Sequence, residues 1–152
     1  MILEHKLDEI DRKILGLLLE NGSLSFAEIG RRVGLSLPAA SERVRRLEEA
    51  GIISGYQANI NFNRLGYGII VFVQLTIPAT SYEKMKQTLS AIPELVEAHH
   101  VAGDLSFLLK FRLASLEDLE PILIKLNRQG QSSSIIVLST THEENGRFLI
   151  FH

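Results

Sequence analysis

The chain has 152 residues, enough for one domain or two small ones with a real hydrophobic core. It contains no cysteine, which excludes disulfide bonds, thiolate metal sites and a cysteine nucleophile. Hydrophobic residues make up 45% of the chain, yet no apolar run approaches the roughly 20 residues of a membrane-spanning helix. The first ten residues carry several charges and no apolar signal-peptide segment, so we expect a soluble, cytoplasmic protein.

The net charge is −2, from 16 basic and 18 acidic residues, but the arginines are unevenly spread. Between Arg31 and Arg46 there are five arginines and one acid, Glu42, a local excess of four positive charges. Binding of an anionic partner depends on this local field rather than on the net charge. The segment is therefore a candidate nucleic-acid surface, although a charged helix face is often only solvated.

The first fifty residues have the apolar spacing of three short helices. Asp8 stands three residues before Asp11 and predicts a capping box at the start of the first helix. Ser25 stands three residues before Glu28 and predicts the start of the second. Ser36 marks the start of the third helix. Three short helices in so few residues indicate a small helical domain.

A tight turn over residues 33–36 joins the second and third helices, as in a helix-turn-helix motif, whose second helix enters the DNA major groove. Arginine pairs with guanine edges or phosphates, and serine and glutamate contact bases or exclude a wrong one. A generic three-helix cluster would explain the periodicity as well. The predicted DNA-binding residues are Arg31, Arg32, Ser36, Pro38, Ser41, Glu42, Arg43, Arg45 and Arg46.

The rest of the chain alternates between strand-like and helix-like segments. Pro121 indicates that the second of these helices is kinked or that its regular part starts near Glu120. The order strand, helix, strand, strand, helix, strand is the βαββαβ pattern of a ferredoxin-like fold. The strands are predicted over 67–77, 95–101, 105–113 and 134–141, the helices over 81–92 and 115–129, and a short last strand over 148–151.

A sheet of this kind is covered by helices on one face only, and its other face should be polar if it meets water. Apolar side chains on that open face need cover, and a second copy of the chain is the simplest candidate. Scattered exposed apolar residues are the alternative interpretation. The residues predicted on the open face are Ile70, Phe72, Leu108, Ile136 and Leu138.

Several short motifs coincide in the first sixty residues: Leu7-Asp8 with Ile10-Asp11, Glu20-Asn21-Gly22, Val33-Gly34-Leu35-Ser36, Arg43-Val44 with Arg46-Leu47-Glu48, Gly51-Ile52-Ile53, and Gly55-Tyr56. Together they closely resemble the N-terminal domain of the Lrp/AsnC transcriptional regulators, also called feast/famine regulatory proteins. The βαββαβ half resembles the ligand-sensing domain of the same family. The resemblance therefore covers essentially the whole chain.

The resemblance implies an α+β protein with two domains. Residues 1–60 would form a helix-turn-helix, winged-helix-like domain that ends in a hinge strand over 52–60. Residues 61–66 would be a linker. Residues 67–152 would form the ferredoxin-like βαββαβ domain, which binds the effector and forms homodimers that assemble further, often into octamers, on double-stranded DNA.

The resemblance also implies a small amino acid as effector, bound near the loop after the second strand. Ser106 stands where amino-acid-binding members commonly have an acidic residue. A backbone loop can still hold charged groups of a ligand through its N–H and C=O groups. The predicted effector-binding residues are Val101, Ala102, Gly103, Asp104 and Ser106, with Ser133 and Ser134 contributed by a neighbouring subunit.

Two other functions fit parts of the sequence. An architectural DNA-binding protein without an effector agrees with Ser106. Sirohaem decarboxylases also resemble this family and use histidines near the second strand, where this chain has His99 and His100. Adjacent strand residues point to opposite faces and cannot easily hold one metal, and this chain keeps the arginines of a DNA reader. We therefore expect a regulator with no enzymatic activity, no cofactor and no metal site.

Overall fold

The computed structural model of the chain describes residues 6–143 and 149–150. The described residues form two compact units, one of residues 6–59 with 142–143 and 149–150, the other of residues 60–141. The sequence prediction assigned everything after residue 67 to the second domain, whereas the described residues after 141 group with the first unit. In that unit an Arg12 guanidinium N–H donates to the carbonyl of Ile150. No helix among the described residues is long and apolar enough to cross a membrane.

The first unit contains three helices, α1 (Glu9–Glu20), α2 (Phe26–Val33) and α3 (Leu37–Glu49). The capping box predicted for α1 is present, because the carboxylates of Asp8 and Asp11 each accept from the backbone N–H of the other. Side-chain caps likewise precede α2 and α3. The helices bury one apolar cluster formed by Ile14, Leu15, Ile29, Ala40, Val44 and Leu47.

The turn between α2 and α3 depends on a close backbone approach at Gly30. The N–H of Leu35 donates to the Gly30 carbonyl at 2.8 Å. A Cβ on Gly30 would lie 2.6 Å from the Leu35 carbonyl oxygen, which is closer than real Cβ atoms come. Gly34 follows α2 with φ +76°, a left-handed conformation that glycine adopts without steric cost. The two glycines thus allow the tight turn that sets α3 against α2.

The hinge strand predicted over residues 52–60 is wrong for this chain. These residues, all of which the structure describes, form no strand. A strand needs a neighbour that accepts and donates its backbone hydrogen bonds, and a β-like composition does not supply one.

The second unit is a four-stranded antiparallel sheet with two helices. The strand order is β2-β3-β1-β4, and each pair of neighbours is antiparallel. The predicted βαββαβ order is confirmed. The elements are β1 (Ile69–Thr76), α4 (Tyr82–Ser90), β2 (Leu95–His100), β3 (Phe107–Leu113), α5 (Leu119–Asn127) and β4 (Gln131–Ile136).

Alternate residues of β1 and β3 are buried, which gives the sheet a core face and an open face. The core face meets α4 and α5 through Val71, Val73, Leu75, Phe107, Leu109, Phe111 and Leu113 on the strands, and Met85, Leu89, Leu119, Ile122 and Leu126 on the helices. The residues between these on the two central strands are half-buried rather than buried. One apolar layer therefore holds the second unit together.

In the second unit one predicted boundary is confirmed, the start of the regular part of the second helix near Glu120, and one is corrected. Pro121 is the third residue of α5, so it occupies the first turn, where its missing N–H has no intrahelical partner to lose. Strand β4 begins at Gln131 rather than near residue 134, because its serines pair with β1 at the edge of the sheet. The short strand predicted over 148–151 lies partly outside the described residues, and its described part, residues 149–150, is helical rather than a strand.

The register of β4 corrects one residue of the predicted open face. Ile136 stands opposite Val71 and shares its core-facing side, whereas Ile135 stands opposite Phe72 on the open face. Leu138 follows the strand and is almost fully exposed. The apolar part of the open face therefore consists of Ile70, Phe72, Leu108 and Ile135.

Candidate nucleic-acid interface and effector loop

Helix α3 buries one side and exposes the other. Ala40, Val44 and Leu47 are fully buried in the core of the first unit. Arg45 and Arg46 fall between these positions in the helical repeat, and both side chains are more than half exposed. The packing that fixes α3 thus turns two arginines outward on the helix that the sequence predicts to read DNA.

Glu28 holds two arginines at the end of α2. Its carboxylate accepts from Nε and Nη2 of Arg31 at 2.9 and 2.7 Å, and from Nε of Arg32 at 2.7 Å. Residues three and four positions apart lie side by side on a helix, which brings these groups together. Hydrogen bonds from the two arginines lower the pKa of Glu28 to about 2. We call Glu28, Arg31 and Arg32 the α2 clamp.

The same arrangement recurs on α3. The carboxylate of Glu42 accepts from Nε and Nη2 of Arg45 at 2.9 and 2.7 Å, and from Nε of Arg46 at 3.1 Å. Arg45 also donates to Glu49. Hydrogen bonds from Arg45 and Arg46 lower the pKa of Glu42 to about 2, while Glu42 raises the pKa of Arg45. We call Glu42, Arg45 and Arg46 the α3 clamp.

Arg43, one of the predicted DNA-binding residues, contacts the start of α1. One of its guanidinium N–H groups bonds the carboxylates of Asp8 and Asp11, at 2.5 and 2.9 Å. Asp11 is itself a buried residue. Hydrogen bonds to the two aspartates raise the pKa of Arg43. The structure therefore gives Arg43 a structural contact between α3 and the start of α1.

The uncharged residues of the predicted DNA surface lie in the first half of α3. The Ser36 hydroxyl caps the helix by accepting from the Ala39 N–H. Pro38 is exposed in the first turn, and Ser41 is half-buried further along. Leu37, at the N-terminal end of the helix, is 54% exposed and was not among the predicted DNA-binding residues. The sequence signal for Leu37 was an apolar residue between the Ser36 cap and Pro38.

The charge of this surface is smaller than the arginine count suggests. The segment from Arg31 to Arg46 leaves out Glu28 before it and Glu48 and Glu49 after it. Glu28 and Glu49 contact arginines of the segment, and Glu48 accepts from the Tyr56 hydroxyl at 2.8 Å. The arginines of the two clamps thus stand beside carboxylates rather than in an unshielded positive field.

The predicted effector loop is tied to the end of β1. The Ser106 hydroxyl accepts from the Ile77 N–H at 2.9 Å and donates to the Ile77 carbonyl at 3.2 Å. The Ser106 N–H donates to the Leu75 carbonyl. Nearer the tip, the Thr76 hydroxyl donates to the Asp104 carbonyl at 3.3 Å. Ser106 therefore anchors the loop by both its hydroxyl and its backbone.

The remaining predicted effector residues are spread across the sheet. In the loop, Gly103 has φ +124°, and residues 102–104 are exposed. Ser133 and Ser134 lie on β4, where they pair with Gln74 and Val73 of β1. Strand β4 is one edge of the sheet, and β2, which leads into the loop, is the other edge. These serines therefore flank β1 on the side away from β3.

The two adjacent histidines of β2 lie on opposite faces of the sheet. His99 stands opposite Leu108 on the open face, and its Nε2 lies 3.1 Å from a Glu97 carboxylate oxygen. His100 stands opposite Phe107 on the core face, where its ring centroid lies 4.7 Å from that of Tyr82. Among the described residues no three histidine or carboxylate side chains form a metal-binding group.

Two family models match the chain, one for each unit. A winged helix-turn-helix DNA-binding model matches residues 7–54, and an Lrp/AsnC ligand-binding-domain model matches residues 70–146. The chain is 33% identical to the HTH-type transcriptional regulator LrpC of Bacillus subtilis, over 93% of this chain and 99% of that protein. It is 34% identical to the leucine-responsive regulatory protein of Escherichia coli, over 91% of this chain and 89% of the relative.

Solved structures agree with the sequence comparison. The structure of B. subtilis LrpC superposes with a TM-score of 0.86 at 32% identity, covering 91% of this chain and 99% of that one. The transcriptional regulator NMB0573 from Neisseria meningitidis, solved as a complex with L-Met, superposes with a TM-score of 0.85 at 26% identity. That match covers 91% of this chain and 94% of the other. About nine-tenths of the chain, including parts of both units, thus has counterparts of known structure.

Proposed function

This chain belongs to the Lrp/AsnC family of transcriptional regulators, and we propose that it contacts double-stranded DNA with the outer face of α3 and the end of α2. The observation that carries this assignment is the pair of exposed arginines, Arg45 and Arg46, on a helix held by a helix-turn-helix core. In this geometry α3 enters the major groove and reads bases. Arg31 and Arg32 then meet phosphates from the end of α2.

The test is a gel shift with the full chain and the DNA upstream of its own coding sequence, at fixed salt. If Arg45 reads a base, Arg45→Ala weakens binding by roughly tenfold or more. Arg128→Ala, an exposed arginine just after α5, is the matched control and should bind like the wild type. If Arg45→Ala and the wild type bind with equal affinity, Arg45 is not part of the interface. If the wild type gives no shift even at low salt, the proposed DNA binding is wrong.

We propose an amino acid as effector, bound at the loop of residues 101–104 and completed by Ser133 and Ser134 of a neighbouring subunit. Support comes from the match to an Lrp/AsnC ligand-binding domain and from the relative solved with L-Met. The same gel shift, run with and without a pool of amino acids, tests this. A shift that responds to the pool supports the effector site, and dividing the pool identifies the ligand.

An architectural DNA-binding protein without an effector is the second candidate. The observation in its favour is Ser106, an uncharged residue whose hydroxyl is already bonded to both backbone groups of Ile77. A ligand ammonium group would therefore find no carboxylate at this position. A gel shift that ignores the amino-acid pool would favour this function. Neither candidate includes catalysis.

We further propose that the chain forms a homodimer through the open face of its sheet, and that dimers assemble into larger closed particles, with an octamer as the expected form. The apolar side chains of Ile70, Phe72, Leu108 and Ile135 lie on this face. Ile135 is exposed and the other three are half-buried, on a sheet face that neither α4 nor α5 covers. An apolar face of this kind marks an interaction surface, and a second copy of the chain is the simplest partner to cover it. A two-fold dimer also predicts a palindromic or repeated operator.

A further inference from the structure

The α2 clamp and the α3 clamp are two copies of one motif, Glu-x-x-Arg-Arg, on neighbouring helices. In both, the first arginine presents Nε and Nη2 to the two carboxylate oxygens, and the second presents Nε alone. The corresponding distances agree except for that of the second arginine, which is 2.7 Å for Arg32 and 3.1 Å for Arg46. A repeated geometry at the DNA-facing end of the unit needs an explanation beyond isolated surface ion pairs.

In each clamp the glutamate accepts from only some of the N–H groups of each guanidinium and leaves others for another partner. A guanidinium has five N–H groups in a fixed planar fork. The bonds to Glu28 and Glu42 use two of these on the first arginine and one on the second, and a third N–H of Arg45, on Nη1, bonds Glu49. A clamped arginine can therefore bond DNA with its remaining terminal N–H groups while its Nε stays on the carboxylate.

Clamping also changes the electrostatics of the surface. Each carboxylate offsets part of the charge of two arginines, and a reduced positive field weakens attraction to any DNA regardless of sequence. A side chain held in one orientation loses less entropy when it bonds a base edge. The first effect weakens binding to random DNA and to the operator alike, whereas the second strengthens binding to the operator alone.

We propose that Glu28 and Glu42 are positioning residues that set DNA specificity, by holding two arginines each in a base- or phosphate-reading orientation while weakening their attraction to random sequence. This inference rests on the proposed DNA contact of α3 and α2. It assigns the glutamates a favourable part in recognition, although their charge alone opposes DNA binding.

The test compares the full-length wild type with Glu42→Gln and Glu42→Asp, on the chain's own upstream DNA and on a scrambled duplex of the same composition. Glu42→Gln removes the charge, so affinity for the scrambled duplex should rise about two- to fivefold, the range of an exposed ion pair. The ratio of operator to scrambled affinity should fall by a similar factor. Glu42→Asp keeps the charge but reaches less far, so it should lose specificity without the gain on scrambled DNA.

Glu9→Gln is the matched control, because Glu9 forms an exposed ion pair with Lys13 on α1, outside both clamps. It should leave both affinities unchanged. Glu28→Gln is the second variant, so that the result does not depend on one substitution, and circular dichroism verifies the fold of each protein. Because the clamp arginines are exposed and the two glutamates are only half-buried, loss of either glutamate should leave the melting temperature near that of the wild type, which a merely structural role would not.

Some results would overturn the proposal. If Glu42→Gln and Glu28→Gln change both affinities by the same factor, the glutamates act only as charges. If neither variant changes either affinity, the clamps have no part in recognition. If the wild type binds DNA but does not distinguish its upstream sequence from the scrambled duplex, there is no specificity to set. If the wild type binds neither duplex, the proposed DNA contact fails together with this inference.

Discussion

Arg43 differs from the other arginines of α3 because its side chain lies against Asp8 and Asp11 at the start of α1. Arg43→Ala removes the partner of a buried carboxylate, since Asp11 is almost inaccessible to solvent. Hydrogen bonds to charged groups contribute about 1.5–3 kcal/mol each, so we expect the free energy of unfolding to fall by about 1–3 kcal/mol. Urea unfolding followed by circular dichroism measures the change.

Lys13→Ala is the control for Arg43→Ala, because it breaks the exposed pair with Glu9 and should cost little. Equal losses in the two variants would show that the Arg43 contact has no special weight. DNA affinity provides a second distinction. Arg43→Ala should weaken DNA binding less than Arg45→Ala, as its guanidinium is turned away from the outer face.

The contact of Arg43 also predicts how the free energy of unfolding changes at acidic pH. The Asp11 backbone N–H and the Arg43 guanidinium hold the pKa of Asp8 below its ordinary value of 3.8. A carboxylate with a lowered pKa stabilises the fold above its unfolded pKa, and this stabilisation disappears as the pH falls through the folded value. The stability difference between wild type and Arg43→Ala should therefore shrink as the pH is lowered past 3.8.

At the scale of single residues, the sequence predicted the arginine cluster but not which arginine turns inward. Arg43 stands three residues after Ala40 and four before Leu47, both buried, so helical spacing places it at the edge of the buried stripe. Its partners lie more than thirty positions earlier in the chain, which no local pattern reveals. The clamps are different, because spacings of three and four residues within one helix were readable.

Among the elements, the turn between α2 and α3 is the most sensitive to a single added atom. In Gly30→Ala the new Cβ would lie 2.6 Å from the Leu35 carbonyl oxygen and 3.4 Å from that of Ser36. Both are backbone atoms and cannot move without shifting the start of α3. We expect a loss of about 1–3 kcal/mol in unfolding free energy, as for other overpacked sites, and weaker DNA binding in the same protein. Urea unfolding and the gel shift measure the two effects.

Gly22→Ala is the matched control for Gly30→Ala. A Cβ at Gly22 would meet its nearest neighbour, the Leu18 carbonyl oxygen, at 3.6 Å, which is ordinary van der Waals contact. The control should therefore remain near wild-type stability. If Gly30→Ala were as stable as Gly22→Ala, the close approach at the turn would not constrain the motif.

Element boundaries were predictable where the signal is local and were missed where it is not. The caps at Asp8, Ser25 and Ser36 start the three helices as the sequence indicates, because each cap needs only residues three positions away. The strand predicted over 52–60 failed because strand pairing needs a distant neighbour. Strand β4 was placed too late because an edge strand accepts serines that look like a loop.

For the whole molecule, the two units separate two kinds of surface. The arginines proposed to contact DNA belong to the first unit, and the open sheet face belongs to the second. The βαββαβ order was predictable from the sequence, since it needs only the type of each segment along the chain. The exact membership of the open face was not, because a shift of β4 by one residue exchanges its two sides, as Ile135 and Ile136 illustrate.

The open face provides the prediction that tests assembly. In Phe72→Asp a carboxylate replaces an apolar side chain that stands between Lys110 of β3 and Ile135 of β4. A dimer through this face would bury an aspartate against apolar groups, which is costly unless the charge is paired. We expect sedimentation velocity to show a dimer or larger particle for the wild type and a monomer for the variant. DNA binding should weaken too, because one recognition helix would act without its partner.

Ile124→Asp is the control for assembly, because Ile124 lies on α5, away from the sheet face, and is 51% exposed. The same change from an apolar side chain to a carboxylate should leave the particle size unchanged there. Wild-type sedimentation of Phe72→Asp would remove the open face from the interface. Dissociation of both variants would show a general loss of stability instead. Loss of the dimer in Phe72→Asp alone would place the subunit contact on the face opposite α4 and α5.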